Sequence, residues 1–119
     1  MRFTVGGLPS GATILSAQLK LYVTNDSTSG GVFNQITNNT WLENMTRNSK
    51  PAVDGVQFAA LGPAALNSFV DLDLTSAITG NGIYCFAISL PNTNTNTVGY
   101  ASREASNVAN RPRLIVILQ

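Results

Sequence analysis

The chain lacks histidine altogether and contains a single cysteine, Cys85. These two shortages exclude an intramolecular disulfide, the usual Ser-His-Asp triad and any zinc site built from cysteine and histidine. A catalytic cysteine also needs a neighbouring base, which is usually histidine. Cys85 lies within the apolar run IYCFAISL (83–90), which favours a buried, small hydrophobic side chain. Only oxygen ligands remain for a metal, and those suit calcium or magnesium.

Charge is also scarce, because seven basic and six acidic side chains make up only 11% of the 119 residues. A typical globular chain carries about a quarter. The net charge is +1 and no basic stripe stands out, which argues against nucleic-acid binding. No apolar run approaches the roughly 18 residues that a membrane span needs, so no membrane insertion is predicted. The opening segment MRFTVGGLPSG also lacks the apolar core of a signal peptide.

Uncharged polar residues and glycine take the place of charge, alongside an apolar fraction of 44%. Polarity without charge is typical of all-β surface and secreted domains, whose turns need asparagine and glycine. We therefore predict an extracellular or surface-exposed protein, whether secreted, on a cell surface or on a virion. The length suits one domain over residues 1–119 with a single core.

Apolar residues alternate with polar ones along ILSAQLKLYVT (14–24), the strongest pattern in the chain. Such a period of two predicts a long strand with one buried and one wet face. The predicted buried side chains are those of Leu15, Ala17, Leu19, Leu21 and Val23.

Further short strands are predicted at 32–36, 56–60, 70–74, 83–90 and 98–102, with a closing strand at RLIVILQ (113–119). Residues 37–51 have no clean period and predict a long loop, and NTNTNT (92–97) predicts a polar turn. Seven or eight short strands with almost no helix indicate an all-β fold, an antiparallel β-sandwich of jelly-roll-like type.

Asp71 and Asp73 lie two residues apart on a predicted strand and therefore share one face. The favoured interpretation is a solvated surface, with Asp73 or Thr75 capping a single helical turn that Gly80 ends. A structural calcium ion held by one aspartate and backbone carbonyls is an alternative. A glycosidase pair is disfavoured because no other acidic cluster supports catalysis. No other cofactor is expected, and the chain is predicted not to be an enzyme.

Two aromatic residues are candidates for sugar stacking. Trp41 is the only tryptophan and lies in the polar segment NNTWLEN, where it acts either as a stacking platform or as a plug over one end of the sandwich. Tyr22 follows Lys20 on the wet face of the long strand, and the pair serves either as a binding ladder or as ordinary strand surface. Together with Arg47 and Lys50, Lys20 is a candidate patch for an acidic polysaccharide.

Four charged residues lie within eleven residues of the segment VGYASREASNVANRPRLIVILQ (98–119), next to the closing strand. The cluster is either a binding site or a structural clamp on that strand, and we predict the clamp. Glu104 is expected to fold back and pair with Arg111, and Arg103 is expected to pair with Asp71 or Asp73.

Four segments in order resemble the DNRLRE-domain family, which overlaps alginate-type carbohydrate-binding modules. They are RFTVGGLPSGATILSAQLKLYV, NNTWLENMTRNSKPA, VDLDLTSAITGNGIYCFAISL and GYASREASNVANRPRLIVIL, which together cover essentially the whole chain. Arg47 stands where a second tryptophan is usual in that family, which weakens the case for an aromatic platform there. Members of the family usually have strands before the segment equivalent to RFTV, so the resemblance implies a sandwich that is either pared down or completed by a strand from another subunit.

The resemblance implies a non-catalytic module that binds carbohydrate or promotes surface adhesion, with a polysaccharide, acidic in some members, as its partner. The alternative is a structural subunit of an extracellular or virion assembly, such as a decoration or filament protein. That subunit would form a homo-oligomer or join other subunits, and strand pairing between them would complete its sheets. The first hypothesis predicts exposed aromatic or basic residues on one surface, and the second predicts large burial between copies.

Overall fold

The computed structural model describes residues 1–90 and 96–119, and these form eight strands in two antiparallel sheets. The strands are β1 (Arg2–Val5), β2 (Ile14–Asn25), β3 (Gly31–Ile36), β4 (Gln57–Leu61), β5 (Phe69–Asp73), β6 (Gly82–Ser89), β7 (Gly99–Tyr100) and β8 (Arg113–Leu118). A short 3₁₀ turn at Val108–Asn110 precedes β8. Within the described residues no helix is long and apolar enough to cross a membrane.

The first sheet has the strand order β1-β6-β3-β4, and the second has the order β5-β2-β7, with β8 also paired to β2. Consecutive strands repeatedly cross from one sheet to the other, as they do in jelly-roll sandwiches. The predicted all-β sandwich is therefore confirmed. The predicted turn at 92–97 falls mostly outside the described residues.

The core lies between the two sheets and is filled by alternate residues from both. Phe86 of the first sheet stacks on Phe33 with ring centroids 5.3 Å apart, and it meets Phe58 edge-on at 5.9 Å. From the second sheet, Leu19 and Leu72 point into the same layer and are fully buried. This alternation explains why a sequence with period two along β2 folds as one wall of a sandwich.

The prediction for Leu15 is wrong, because its side chain is 60% exposed. The pairing of β2 with β8 shifts between Ile14 and Ser16, where a bulge interrupts the ladder. An extra residue on one strand reverses which side chains face inward. Ile14 packs against the core instead, whereas the alternation from Ala17 onwards holds as predicted.

The middle of β6 is covered on both faces, which confirms the prediction for this strand. Phe86 points into the core, and its neighbour Cys85, which points the opposite way, is only 2% exposed. Ile36, the register partner of Cys85 on β3, is 8% exposed. The outer face of the first sheet is therefore covered at this point.

The long loop between β3 and β4 lies against that outer face, because Arg2, the register partner of Cys85, donates hydrogen bonds to the Asn39 and Trp41 carbonyl oxygens of the loop. It is closed at its base by Asp54, whose carboxylate accepts hydrogen bonds from the Thr37 amide and hydroxyl. Gly55 returns the chain against β3, since a Cβ there would lie 2.6 Å from the Gln35 carbonyl oxygen. Only glycine permits this close approach. The loop is thus fixed to the sheet at both of its ends.

Candidate functional site

The outer face of the second sheet, called here the open face, presents side chains from three adjacent strands to solvent. Its first row consists of Tyr22 and Phe69, which lie opposite each other on β2 and β5. Its second row is charged, with Asp71, Lys20 and Arg113 side by side. Its third row contains Asp73, Gln18 and Ile115.

In the aromatic row, the Phe69 ring is exposed and the Tyr22 ring is held in place by a hydrogen bond. Phe69 is 42% exposed, and its ring meets that of Tyr22 edge-on with centroids 5.2 Å apart. The Tyr22 hydroxyl donates to Asn67 Oδ1 at 3.0 Å, which fixes the ring without burying it. Asn67 has a φ of 61°, a left-handed conformation that asparagine tolerates better than most residues. This row presents an apolar surface beside polar groups.

The charged row contains one ion pair and one cation without a pair. Lys20 Nζ lies 3.0 Å from Asp71 Oδ1, and both side chains are substantially exposed. Arg113 is exposed, and it forms no ion pair within residues 1–90 and 96–119. Its guanidinium can therefore donate two parallel hydrogen bonds to a carboxylate group of a ligand.

Asp73 is committed to local structure. Its Oδ1 accepts hydrogen bonds from the Thr75 amide at 3.0 Å and from the Thr75 hydroxyl, and these bonds lower the pKa of the carboxyl group. The chain then makes a single turn in which the Ile78 amide donates to the Leu74 carbonyl. The predicted cap is confirmed. Within residues 1–90 and 96–119, no three side chains of the metal-binding types gather in one place.

The loop candidates lie elsewhere, around a cleft of about 710 Å³. The cleft opens between the sheets beside β1 and has apolar walls that include Phe3, Leu21 and Ile88. Trp41 and Lys50 of the long loop line it, whereas Arg47 is exposed and does not. The predicted patch of Lys20, Arg47 and Lys50 is therefore not a single site, because Lys20 belongs to the open face.

Trp41 packs over β1 rather than standing free. The Arg2 guanidinium lies 4.7 Å from the centre of its ring, and Arg2 Nη1 donates to the Trp41 carbonyl oxygen at 2.8 Å. A cation over an aromatic face is a stabilising contact. One face of the ring is thus occupied from within the protein, which reduces the surface that Trp41 can offer to a sugar.

The predicted clamp pairs, Glu104 with Arg111 and Arg103 with Asp71 or Asp73, are wrong. Arg103 pairs with Glu43 of the long loop and, at 3.2 Å, with its neighbour Glu104. Glu104 does not reach Arg111, because a tight turn from Ser102 to Ala105 places it beside Arg103 instead. Arg111 Nε donates to the Ala105 carbonyl oxygen at 2.8 Å, so this half-buried arginine fastens the loop before β8 without a carboxylate.

The remaining predicted clamp residues also have other roles. Asp71 pairs with Lys20 and Asp73 caps the turn after β5, so neither meets Arg103. The pairs of Arg103 are highly exposed, with side-chain exposures of 69% for the arginine and 53% and 78% for its partners. Ion pairs exposed to this degree contribute little to stability.

Three residues of the open face escaped the sequence-based search, namely Phe69, Asn67 and Arg113. The signal for Phe69 was present, because it shares parity with Asp71 on β5. Arg113 had been assigned to the charged cluster near the C-terminus. Only the pairing of β8 with β2 shows that it stands next to Lys20.

The model of carbohydrate-binding module family 96 matches residues 1–117. The chain belongs to this family. No curated protein matches the chain. The family match supports the carbohydrate-binding hypothesis and gives no support to the virion or filament alternative.

Proposed function

We propose that this family 96 module is non-catalytic and binds a polysaccharide along its open face. The observation that carries the proposal is the exposed Tyr22–Phe69 row next to Lys20 and Arg113 on one sheet. Stacking on the aromatic row supplies the apolar contact, and the charged row supplies hydrogen bonds. Tyr22 and Lys20 were candidates from the sequence, and Phe69 and Arg113 extend them.

The ligand proposed is an acidic polysaccharide of the alginate type. Lys20 is already paired with Asp71, so the charged contact falls chiefly on Arg113. A guanidinium binds a carboxylate through two parallel hydrogen bonds, which distinguishes a uronate from a neutral sugar. An extracellular or surface location follows from such a ligand.

The non-catalytic role is supported by the state of the two aspartates. Asp71 is held by Lys20, and Asp73 accepts two hydrogen bonds from Thr75. The same bonds lower the pKa of Asp73, so it is ionised at neutral pH and does not serve as a general acid.

Retention in affinity gels tests the site with four variants. Tyr22→Ala and Phe69→Ala should each weaken retention by an acidic polysaccharide about tenfold, because each removes a stacking surface worth a kilocalorie or more. Arg113→Gln should weaken retention by the acidic polymer and leave retention by a neutral one unchanged. The matched control is Val108→Ala, which truncates a side chain of 64% exposure outside the open face.

Retention unchanged in Tyr22→Ala and Phe69→Ala, with folding intact by circular dichroism, would remove the open face as the site. The loop candidates Trp41, Arg47 and Lys50 then become the next surface to test, with Trp41→Ala as the first variant. If Arg113→Gln weakens binding to neutral and acidic polymers alike, the acidic specificity is wrong even though the face is right.

A further inference from the structure

Asn67, in the turn before β5, is held in place through both its backbone and its side chain. Its backbone amide donates to the Val23 carbonyl oxygen at 3.0 Å, and the Val23 amide donates to the Ser68 carbonyl oxygen at 2.8 Å. These two bonds fix the turn, in which Asn67 has a φ of 61°. The Tyr22 hydroxyl donates to Asn67 Oδ1 at 3.0 Å, so the orientation of the amide group is fixed as well.

The unused hydrogen-bonding groups of the Asn67 side chain are chiefly donors. An asparagine amide has one accepting oxygen and two N–H donors on Nδ2. The oxygen of Asn67 accepts from Tyr22, and among residues 1–90 and 96–119 none accepts from Nδ2. Asn67 is exposed, so these donors are accessible to a ligand. An ionised carboxylate only accepts hydrogen bonds, and it therefore matches a group whose free positions are donors better than a sugar hydroxyl does.

Asn67 and Arg113 lie on opposite sides of the aromatic row. Along the chain Asn67 comes two residues before Phe69, which comes two residues before Asp71. Arg113 belongs to the charged row, which also contains Asp71. Neighbouring rows are about 7 Å apart, because each of the two residues between them rises about 3.4 Å. A sugar ring on Tyr22 and Phe69 therefore has hydrogen-bond donors beyond each of its two edges.

Given the proposed function, on which this assignment rests, we propose that Asn67 is a specificity-determining residue that donates through Nδ2 to a second carboxylate of the ligand. Arg113 binds one carboxylate, the aromatic row stacks on a sugar ring, and Asn67 binds a carboxylate on the other side of that ring. The ligand is thus a polyuronate chain that runs along β2. Because the turn and Tyr22 already fix the amide group, its binding costs little side-chain entropy.

The test compares Asn67→Asp with Leu66→Asp in affinity gels that contain a soluble polyuronate. Aspartate tolerates the left-handed conformation much as asparagine does, and it keeps an oxygen for the Tyr22 hydroxyl while removing the Nδ2 donor. Leu66, the preceding turn residue, is 51% exposed, so Leu66→Asp adds the same charge and leaves the amide of Asn67 in place. A second variant, Asn67→Gly, removes the donor without adding charge and tolerates the same φ.

Asn67→Asp should weaken retention by the polyuronate at least about tenfold and Leu66→Asp no more than about threefold, in about 0.15 M salt that screens exposed charges. Asn67→Gly should weaken it about three- to tenfold, and more than Tyr22→Phe, which removes only the bond that holds the amide. The methyl ester of the polyuronate has the same hydroxyls without the charge. In gels concentrated enough to retain the unaltered protein, it should retain Asn67→Asp to within about threefold.

Equal losses in Asn67→Asp and Leu66→Asp would overturn the assignment, because charge repulsion alone would explain both. Equal losses of Asn67→Asp on the polyuronate and its methyl ester would also overturn it and would indicate that Asn67 binds a hydroxyl group. If Tyr22→Ala and Phe69→Ala weaken retention but both Asn67 variants are retained fully, Asn67 is only a turn residue and the proposed function stands. If all four of these variants fold by circular dichroism and are retained fully, the open face is not the site and both proposals fail.

Discussion

The outer faces of the two sheets differ in their exposure to solvent. The second sheet leaves its outer face open, with Phe69 42% exposed and Ile117 49% exposed. The outer face of the first sheet is covered only at its middle, where Ile36 and Cys85 are 8% and 2% exposed, whereas Ile83 nearer one end of β6 is 48% exposed. The difference shows that alternation along a strand identifies the side chains that point outward but does not show whether they are accessible to a ligand. A face is available for ligand only where no loop returns over it.

Truncating a buried side chain should destabilise the protein to a similar degree on the inner face of either sheet. This is the largest effect expected. Phe86→Ala on the first sheet should lower the free energy of unfolding by about 3–5 kcal/mol, and Leu19→Ala on the second by about 2–5 kcal/mol. Both side chains are completely buried in one shared core. Urea unfolding measures both. A mild effect in only one variant would mean that the sheets do not share a core equally.

The outer faces should differ under the same kind of substitution. Cys85→Ser should cost about 1–3 kcal/mol, because it places a hydroxyl without a ready partner under the covering loop. Ile117→Ser on the open face should cost less than about 1 kcal/mol, because half of that side chain is already in water. Equal costs by thermal unfolding would contradict the contrast between covered and open faces.

A third comparison sets the hydrogen bond of Arg111 against the ion pair of Arg103 with Glu104, both of which lie in the segment before β8. Arg111→Ala should lower the free energy of unfolding by about 1–2 kcal/mol, because it leaves the Ala105 carbonyl oxygen without its donor. Glu104→Ala should lower it by less than about 0.5 kcal/mol, since its pair with Arg103 is exposed to solvent. The reverse ranking in urea unfolding would restore the predicted carboxylate clamp.

The smallest expected effect is a loss of stability at acid pH, to which one aspartate beside each sheet contributes. Hydrogen bonds from Thr37 lower the pKa of Asp54, which closes the covering loop, and bonds from Thr75 lower the pKa of Asp73 beside the open face. A carboxyl group with a lowered folded-state pKa stabilises the fold above its unfolded pKa of about 3.9 and loses that contribution as the pH falls through the folded value.

Asp54→Asn and Asp73→Asn should therefore each make the melting temperature less sensitive to acidification below about pH 4, while lowering it slightly at neutral pH. Melting curves across that range measure the slope. A slope as steep as that of the unaltered protein in both variants would show that neither hydrogen-bonded carboxylate contributes to acid sensitivity.

Much of the fold follows from local pattern. Alternation along β2 placed Ala17 to Val23 correctly, and the apolar run around Cys85 indicated a strand covered on both faces. Leu15 was assigned to the wrong face because the bulge beside it depends on how β8 pairs with β2. Pairing between distant segments cannot be predicted from either segment alone. The clamp partners failed for a similar reason, since exposed long side chains pair with whatever a turn brings near them.

By itself, the sequence determined the class of fold, the burial of Cys85, the capped turn at Asp73 and the presence of Lys20 and Tyr22 on a wet strand face. Only the tertiary structure decided that Phe69 and Arg113 join that face and that Trp41 lies under Arg2. The physical reason is range. Side-chain alternation and capping act over a few residues, whereas sheet order and loop coverage join residues far apart in the chain, such as Arg2 and Trp41 or Lys20 and Arg113.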